Sequence, residues 1–407
     1  MRACLLLALL AACQPATSQS LPGAPQHRSC NALAQRVAAL PGDDPLLLRS
    51  YDDPAAEAVV LTPALETAAF VYDNALATIA LLASGERAAA ERVGAALLAA
   101  TNRDPRLRNA YRAGRSPAGG PLPNGWWSQR DHRWNEDAYQ QGTATGNVAW
   151  AALALLGLDA EAADRRWRDG AVRLGHRIRA NAATPSGFRG GVHGFDGQEV
   201  ELTWMSTEHN VDAVALFTWL ARFPGGKHWA GDALKARDFV GRQWDADGGR
   251  FLIGDLPDNG GPNRNGSGLD AQLWPLLLPD APMAWRRALD FVAKAHAVDG
   301  GFDFNDDRDG LWTEGTAQAA LVFRWTGNEA GARKAIATAN GLISEGGYVY
   351  ATKNPQISTG LAIGPDSIGD DFQYYRWPHL GATAWLCLAE RGWNPLTGSS
   401  RGGDSKP

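Results

Sequence analysis

Five acidic residues sit at or beside the openings of apolar stretches: Asp73 in YDNALATIALLA, Glu208 in TEHNVDAVALFTWLA, Asp270 in LDAQLWPLLL, Glu314 in TEGTAQAALVFRW, and Asp371 shortly before PHLGATAWLCLAE. Carboxyls brought together suit general acid–base chemistry. One must keep a proton for a leaving oxygen, and the other must be ionised to activate water or attack carbon. About 6.5–9.5 Å between two carboxyls leaves room for the water of an inverting glycosidase, and about 5–5.5 Å suits retention. Burial and mutual repulsion raise such pKa values, while a helix N-terminus favours the carboxylate. Glu208 is the first candidate acid, and Glu314 and Asp270 are the candidate bases. Each could instead only cap its own helix.

Polar neighbours extend the set. Asp73, Asn74, His209, Asn210 and His379 are candidates for holding substrate hydroxyls. Trp126, Trp127, Trp204, Trp312 and Tyr375 are candidate stacking platforms, in a chain with 16 Trp, although about half of such residues should only pin loops. No H-E-x-x-H, C-x-x-C, phosphate loop or G-x-S-x-G occurs, so no catalytic metal, nucleotide or serine nucleophile is expected. No cofactor is expected either. A Ca²⁺ ion in GFDFNDDRDG (301–310) is the one candidate; its spacing fails the EF-hand rule and a solvated turn is the expectation.

The elements that must position these residues repeat. Six apolar helical stretches start at Tyr72, Thr145, Thr207, Leu269, Thr313 and Pro378. Amphipathic helices follow the first five, from Glu86, Glu161, Ala230, Ala281 and Glu329, and CNALAQRVAALP from Cys30 could partner the sixth. The starts recur at roughly sixty-residue spacing, as a structural repeat allows. The expected fold is therefore all-α: an (α/α)6 barrel of six inner and six outer helices, preferred over an α-solenoid. Long Gly- and Trp-rich loops precede the inner helices, so the acids and loops should gather at one rim.

Alternating helices with acids at the inner starts beside Trp-rich loops resemble the six-hairpin glycosidase superfamily, over residues about 30–395. The resemblance rests on architecture and motif placement. It implies a glycoside hydrolase acting at this rim on a glucan or exopolysaccharide, endo-acting and inverting. Two alternatives stay open. One is a polysaccharide lyase or sugar epimerase using His209, His379 or Tyr375. The other is a non-catalytic glycan-binding lipoprotein.

Composition sets the remaining bounds. Hydrophobic residues make up 45%, charged residues 20%, and the net charge is −5 without any dense Lys/Arg run, so nucleic acid is not expected as a partner. A monomer is expected, with an oligo- or polysaccharide as substrate. Residues 1–12 read as a signal peptide, and LAAC ending at Cys13 resembles a lipobox, with Cys13 lipidated. Residues 13–27 then read as a flexible tether, 28–396 as the barrel and 397–407 as a disordered tail. Export to the outer membrane, facing periplasm or surface, is the expected location, with a lipid anchor as the only membrane contact. In such a compartment Cys30 and Cys387 could pair, but two separate buried thiols is the preferred reading.

Overall fold

A computed structural model describes residues 27–52, 61–117, 119–162, 164–365, 367 and 372–401. Residues 1–26 of the segment read as signal and lipidated tether, Cys13 included, lie outside the described residues, as do Asp371 and residues 402–407. The chain is an all-α toroid. Its inner helices are Val71–Ala83, Thr145–Ala162, Thr207–Ala221, Leu269–Leu273, Thr313–Thr326 and Leu380–Arg391. Each packs on the next, and the sixth packs on the first, so the ring closes. Their Ala- and Leu-rich sequences are buried on nearly every face because both ring neighbours and an outer helix surround them.

The outer helices Arg87–Arg103, Arg165–Asn181, Ala230–Arg242, Arg287–Ala295 and Glu329–Asn340 follow the first five inner ones. Arg28–Ala38, from the start of the chain, lies against the sixth. Cys30 and Cys387 form a disulfide between these two helices, correcting the expectation of separate thiols. The two cysteines fall on facing turns of a packed pair, a proximity visible only once the ring is closed. The fourth inner helix is the shortest. Pro275 cannot donate to the α-helical ladder, and the chain continues as a 3₁₀ turn over Trp274–Leu277.

The rim loops hold small antiparallel sheets of two or three strands. Behind them lies a repeated side-chain clamp at the fourth residue of the inner helices. Asn210 accepts from Phe188 N–H at 2.9 Å and donates to the Phe188 carbonyl at 3.0 Å. Asn74 does the same to Leu48, and Gln272 to Phe251. Thr316 and Thr383 hydroxyls accept from Phe302 and Val349 N–H. Each clamp satisfies backbone that is buried beside a helix and would otherwise lack a partner.

Residues 397–401, read from the sequence as part of a disordered tail, are ordered. Ser399–Ser400 pairs with Trp393–Asn394, and Gly398 packs against Trp219 because a Cβ there would stand 2.3 Å from its ring.

Candidate active site

The second and sixth residues of the inner helices, one turn apart, face the lumen. The second positions are Tyr72, Gly146, Glu208, Asp270, Glu314 and Gly381. The sixth include Trp150, Asp212, Trp274, Gln318 and Trp385. Trp150, Trp274 and Trp385 contact one another with centroids 5.4–5.8 Å apart and plug the barrel beneath the acids. Above this plug opens a cavity of about 1040 Å³ lined by Asp73, Glu208, Asp212, Asp270 and Glu314. Among the described residues its wall carries no Arg or Lys.

Burial raises the Glu208 carboxyl to about 7. Glu314 also reaches about 7 through burial, with the charge of His379 pulling the other way and Asp73 adding to the rise. Asp270 is pushed well above the carboxylate range by burial, then by Glu208 and Glu314. Asp212 is raised by burial and by Glu208 and Asp270. Like charges in one desolvated place cannot all ionise, so protons are retained near neutrality.

Glu314 is tied more closely than Glu208. Tyr72 O–H donates to its Oε1 at 2.8 Å, and Tyr72 accepts from Trp385 Nε1–H at 2.9 Å. His379 lies between two carboxyls, with Nε2 3.4 Å from Asp73 Oδ2 and Nδ1 3.5 Å from Glu314 Oε2. Burial alone would lower the His379 pKa, but Asp73 and Glu314 outweigh it and raise it. When Nδ1 is unprotonated the imidazole caps the sixth inner helix, accepting from Ala382 N–H at 3.3 Å; protonated, that nitrogen can only donate, and it faces Glu314. Gly381 lets these groups approach: a Cβ there would stand 2.7 Å from Glu314 Oε2 and 2.8 Å from Asp73 Oδ1.

Trp204 and His209 face each other at 5.4 Å on the cavity wall. Burial lowers the His209 pKa to about 4, so its ring is neutral, and its Nδ1 has no partner. Trp312 and Tyr375 also line the cavity, but Trp312 is buried beneath Phe304 and Tyr374, at 4.9 and 5.5 Å.

Other candidates lie elsewhere. Asn74 and Asn210 are fully buried and their amides are occupied by the clamps, so they hold loop backbone instead of substrate. Trp126 and Trp127 sit on a hairpin outside the cavity wall, with Trp127 paired opposite Trp134 and 51% exposed. Asp303, Asp307 and Asp309 have oxygens within 4.8 Å of one another. Their carboxylates accept backbone N–H groups of their own and a neighbouring loop, which fits a structured turn.

Tyr72 and Asp212 were not among the candidates. The signal for Asp212 was present: an acid in the middle of VDAVALF, one turn beyond Glu208, on a helix otherwise apolar all round.

No family model matches the chain, and no curated protein aligns with it by sequence. Solved structures match over nearly its whole length. A wild-type glycosidase aligns at 13% identity and TM-score 0.61, covering 89% of this chain and 96% of its own. An alpha-amylase from Clostridium perfringens aligns at 9% and 0.59, covering 92% and 100%. A cellobiose 2-epimerase from Bacillus thermoamylovorans aligns at 12% and 0.60, covering 89% and 98%. At such identities the likeness is one of fold, and the chain shares the six-hairpin toroid of these enzymes.

Proposed function

We propose that the protein is a glycoside hydrolase acting on a neutral glycan with inversion, Glu208 serving as general acid and Glu314 as general base. The observation that carries this reading is the pair of carboxyls held near 7 on the third and fifth inner helices, facing one cavity with Asp270 between them. Glu208 is raised by burial alone, which favours its protonated form. Glu314 has two supports for its anion, the Tyr72 hydroxyl and the His379 charge.

In the reaction Glu208 protonates the glycosidic oxygen as the C1–O bond breaks. Water, losing its proton to Glu314, forms the new C1–O bond on the opposite face, and the net change is addition of one water. Trp204, at the cavity wall, offers a plane for a sugar ring. Company with glycosidases, an amylase and epimerases on this fold supports carbohydrate chemistry. A wall of acids without Lys or Arg favours neutral sugars over uronates. Two rim arginines are engaged elsewhere: Arg108 pairs with Asp104 and Asp196, and Arg189 with Glu201.

Leaving-group dependence separates the two roles. Glu208→Gln should lose about 10²–10⁴-fold on an unactivated glycan and lose far less on an aryl glycoside whose leaving group needs no proton. Glu314→Gln should lose activity on both. Equal losses of both variants on both substrates would contradict the assignment.

A second reading has one observation behind it. His209 is neutral, partner-free at Nδ1 and set against Trp204, as an epimerase or lyase base could be. A conjugate acid near 4 makes it a weak base for C–H abstraction. Deuterium entering a sugar from solvent without bond cleavage would favour this reading.

Export with a lipidated Cys13 is proposed with the function. The Cys30–Cys387 disulfide supports an oxidising compartment.

A further inference from the structure

The three indoles of the plug are not alike. Trp274 Nε1–H donates to Gln318 Oε1 at 3.0 Å, and Trp385 Nε1–H donates to the Tyr72 hydroxyl at 2.9 Å. Trp150 is buried like the others, but its N–H has no acceptor among the described residues. Beside it stands Asp212, fully buried, with neither carboxyl oxygen hydrogen-bonded. The indole is close enough to act against the rise of the Asp212 pKa, yet no hydrogen bond joins the two. A donor and an acceptor left open side by side in a buried place call for an explanation.

The cavity reaches these two groups and stops there. Of the sixth residues of the inner helices, Trp150 and Asp212 line it, whereas Trp274, Gln318 and Trp385 do not. In that sector it runs four residues below Glu208, about 6 Å at 1.5 Å of rise per residue. The result is a pit between the second and third inner helices. Gly146 forms one side of it. A Cβ there would stand 2.6 Å from Cδ2 of His209, and 3.0 Å from both Nε2 of His209 and Oδ2 of Asp212. A side chain at 146 would push His209 and Asp212 away from the second inner helix.

We propose that this pit is a subsite for one hydroxyl group of a neutral sugar, and that Asp212 is a specificity-determining residue. A hydroxyl has the two functions that the floor lacks: its oxygen accepts from the Trp150 N–H, and its O–H donates to Asp212. An ammonium group has no lone pair for the indole. A carboxylate would bring another negative charge beside Glu208 and Asp270, whose charges already reach Asp212. The pit lies one turn below Glu208 on the same face of the helix, so a sugar anchored in it sits against that acid. The part of the subsite in catalysis rests on the hydrolase reading; its hold on a sugar hydroxyl does not.

Binding tests the subsite without turnover. Glucose, galactose and mannose would be titrated into the unaltered full chain by calorimetry, followed by the monodeoxy forms of the sugar that binds best. One deoxy form should bind on the order of tenfold more weakly than its parent sugar. In Asp212→Ala the same deletion should cost nothing further, because the hydroxyl has already lost its partner. Asp212→Asn keeps the shape of the side chain and serves if the alanine variant fails to fold; in it the cost of the deletion should shrink. A deletion that costs the same in the unaltered chain and in the variant would overturn the subsite, as would no binding by any of these sugars. Binding that depends on the hydroxyl and on Asp212, without turnover of any polymer, would uphold the subsite and overturn the hydrolase reading. Turnover of a neutral polymer with no such dependence would uphold the hydrolase reading and overturn the subsite.

Discussion

Glu208 and Glu314 give up stability in exchange for retained protons, and the sign of that effect can be measured. Their folded pKa values of about 7 lie above the ordinary carboxylate range. Below that ordinary range the two groups are protonated in both states and add no pH dependence. Between about 4.3 and 7 the folded state binds more protons than the unfolded chain, so stability falls as pH rises. The melting temperature should therefore drop from pH 5 to pH 8. Glu208→Gln and Glu314→Gln should flatten that drop, each being more stable than the unaltered protein at pH 8. Parallel curves for variant and parent would contradict the buried, raised carboxyls. His379 acts in the same direction: its raised pKa contributes stability that is lost as pH climbs through it.

The inner-helix start is the working element of this fold. Its second residue faces the cavity and its fourth holds the preceding loop. Asn210→Ala removes three hydrogen bonds, to Phe188 N–H, the Phe188 carbonyl and the Ser206 carbonyl. The buried groups left behind should cost on the order of 3 kcal/mol, read as a lower denaturant midpoint. A loss below about 1 kcal/mol would place the clamp's partners in water. This division of labour explains what was legible in the sequence. Apolar runs after polar openings marked the inner helices, because helices buried on all sides need such composition. Glu208, Asp270 and Glu314 stood out as acids at those openings. The difference between second and fourth position was not legible, since Glu208 and Asn210 are equally polar and only the helix phase separates them. Asp212 was hidden by sitting inside an apolar run. Trp126 and Trp127 looked like a platform by composition, but a hairpin carries them outside the cavity wall.

For the molecule as a whole, ring closure joins the two ends of the barrel. Cys30 and Cys387 are 357 residues apart in sequence, and their bond links the first described helix to the last. Cys30→Ser with Cys387→Ser should lower stability by about 2–5 kcal/mol, with the fold retained. Equal denaturant midpoints under oxidising and reducing conditions would show that the bond does not form.

The central claim is that Glu208 and Glu314 hydrolyse a neutral glycan, and product analysis tests it most directly. The purified protein and its Glu208→Gln and Glu314→Gln variants would be incubated with a panel of α-glucans, β-glucans and uronate polymers. New reducing ends from a neutral polymer, lost in both variants, are the predicted result. Unsaturated sugars from a uronate polymer would contradict the account, as would sugar binding without turnover that neither substitution changes.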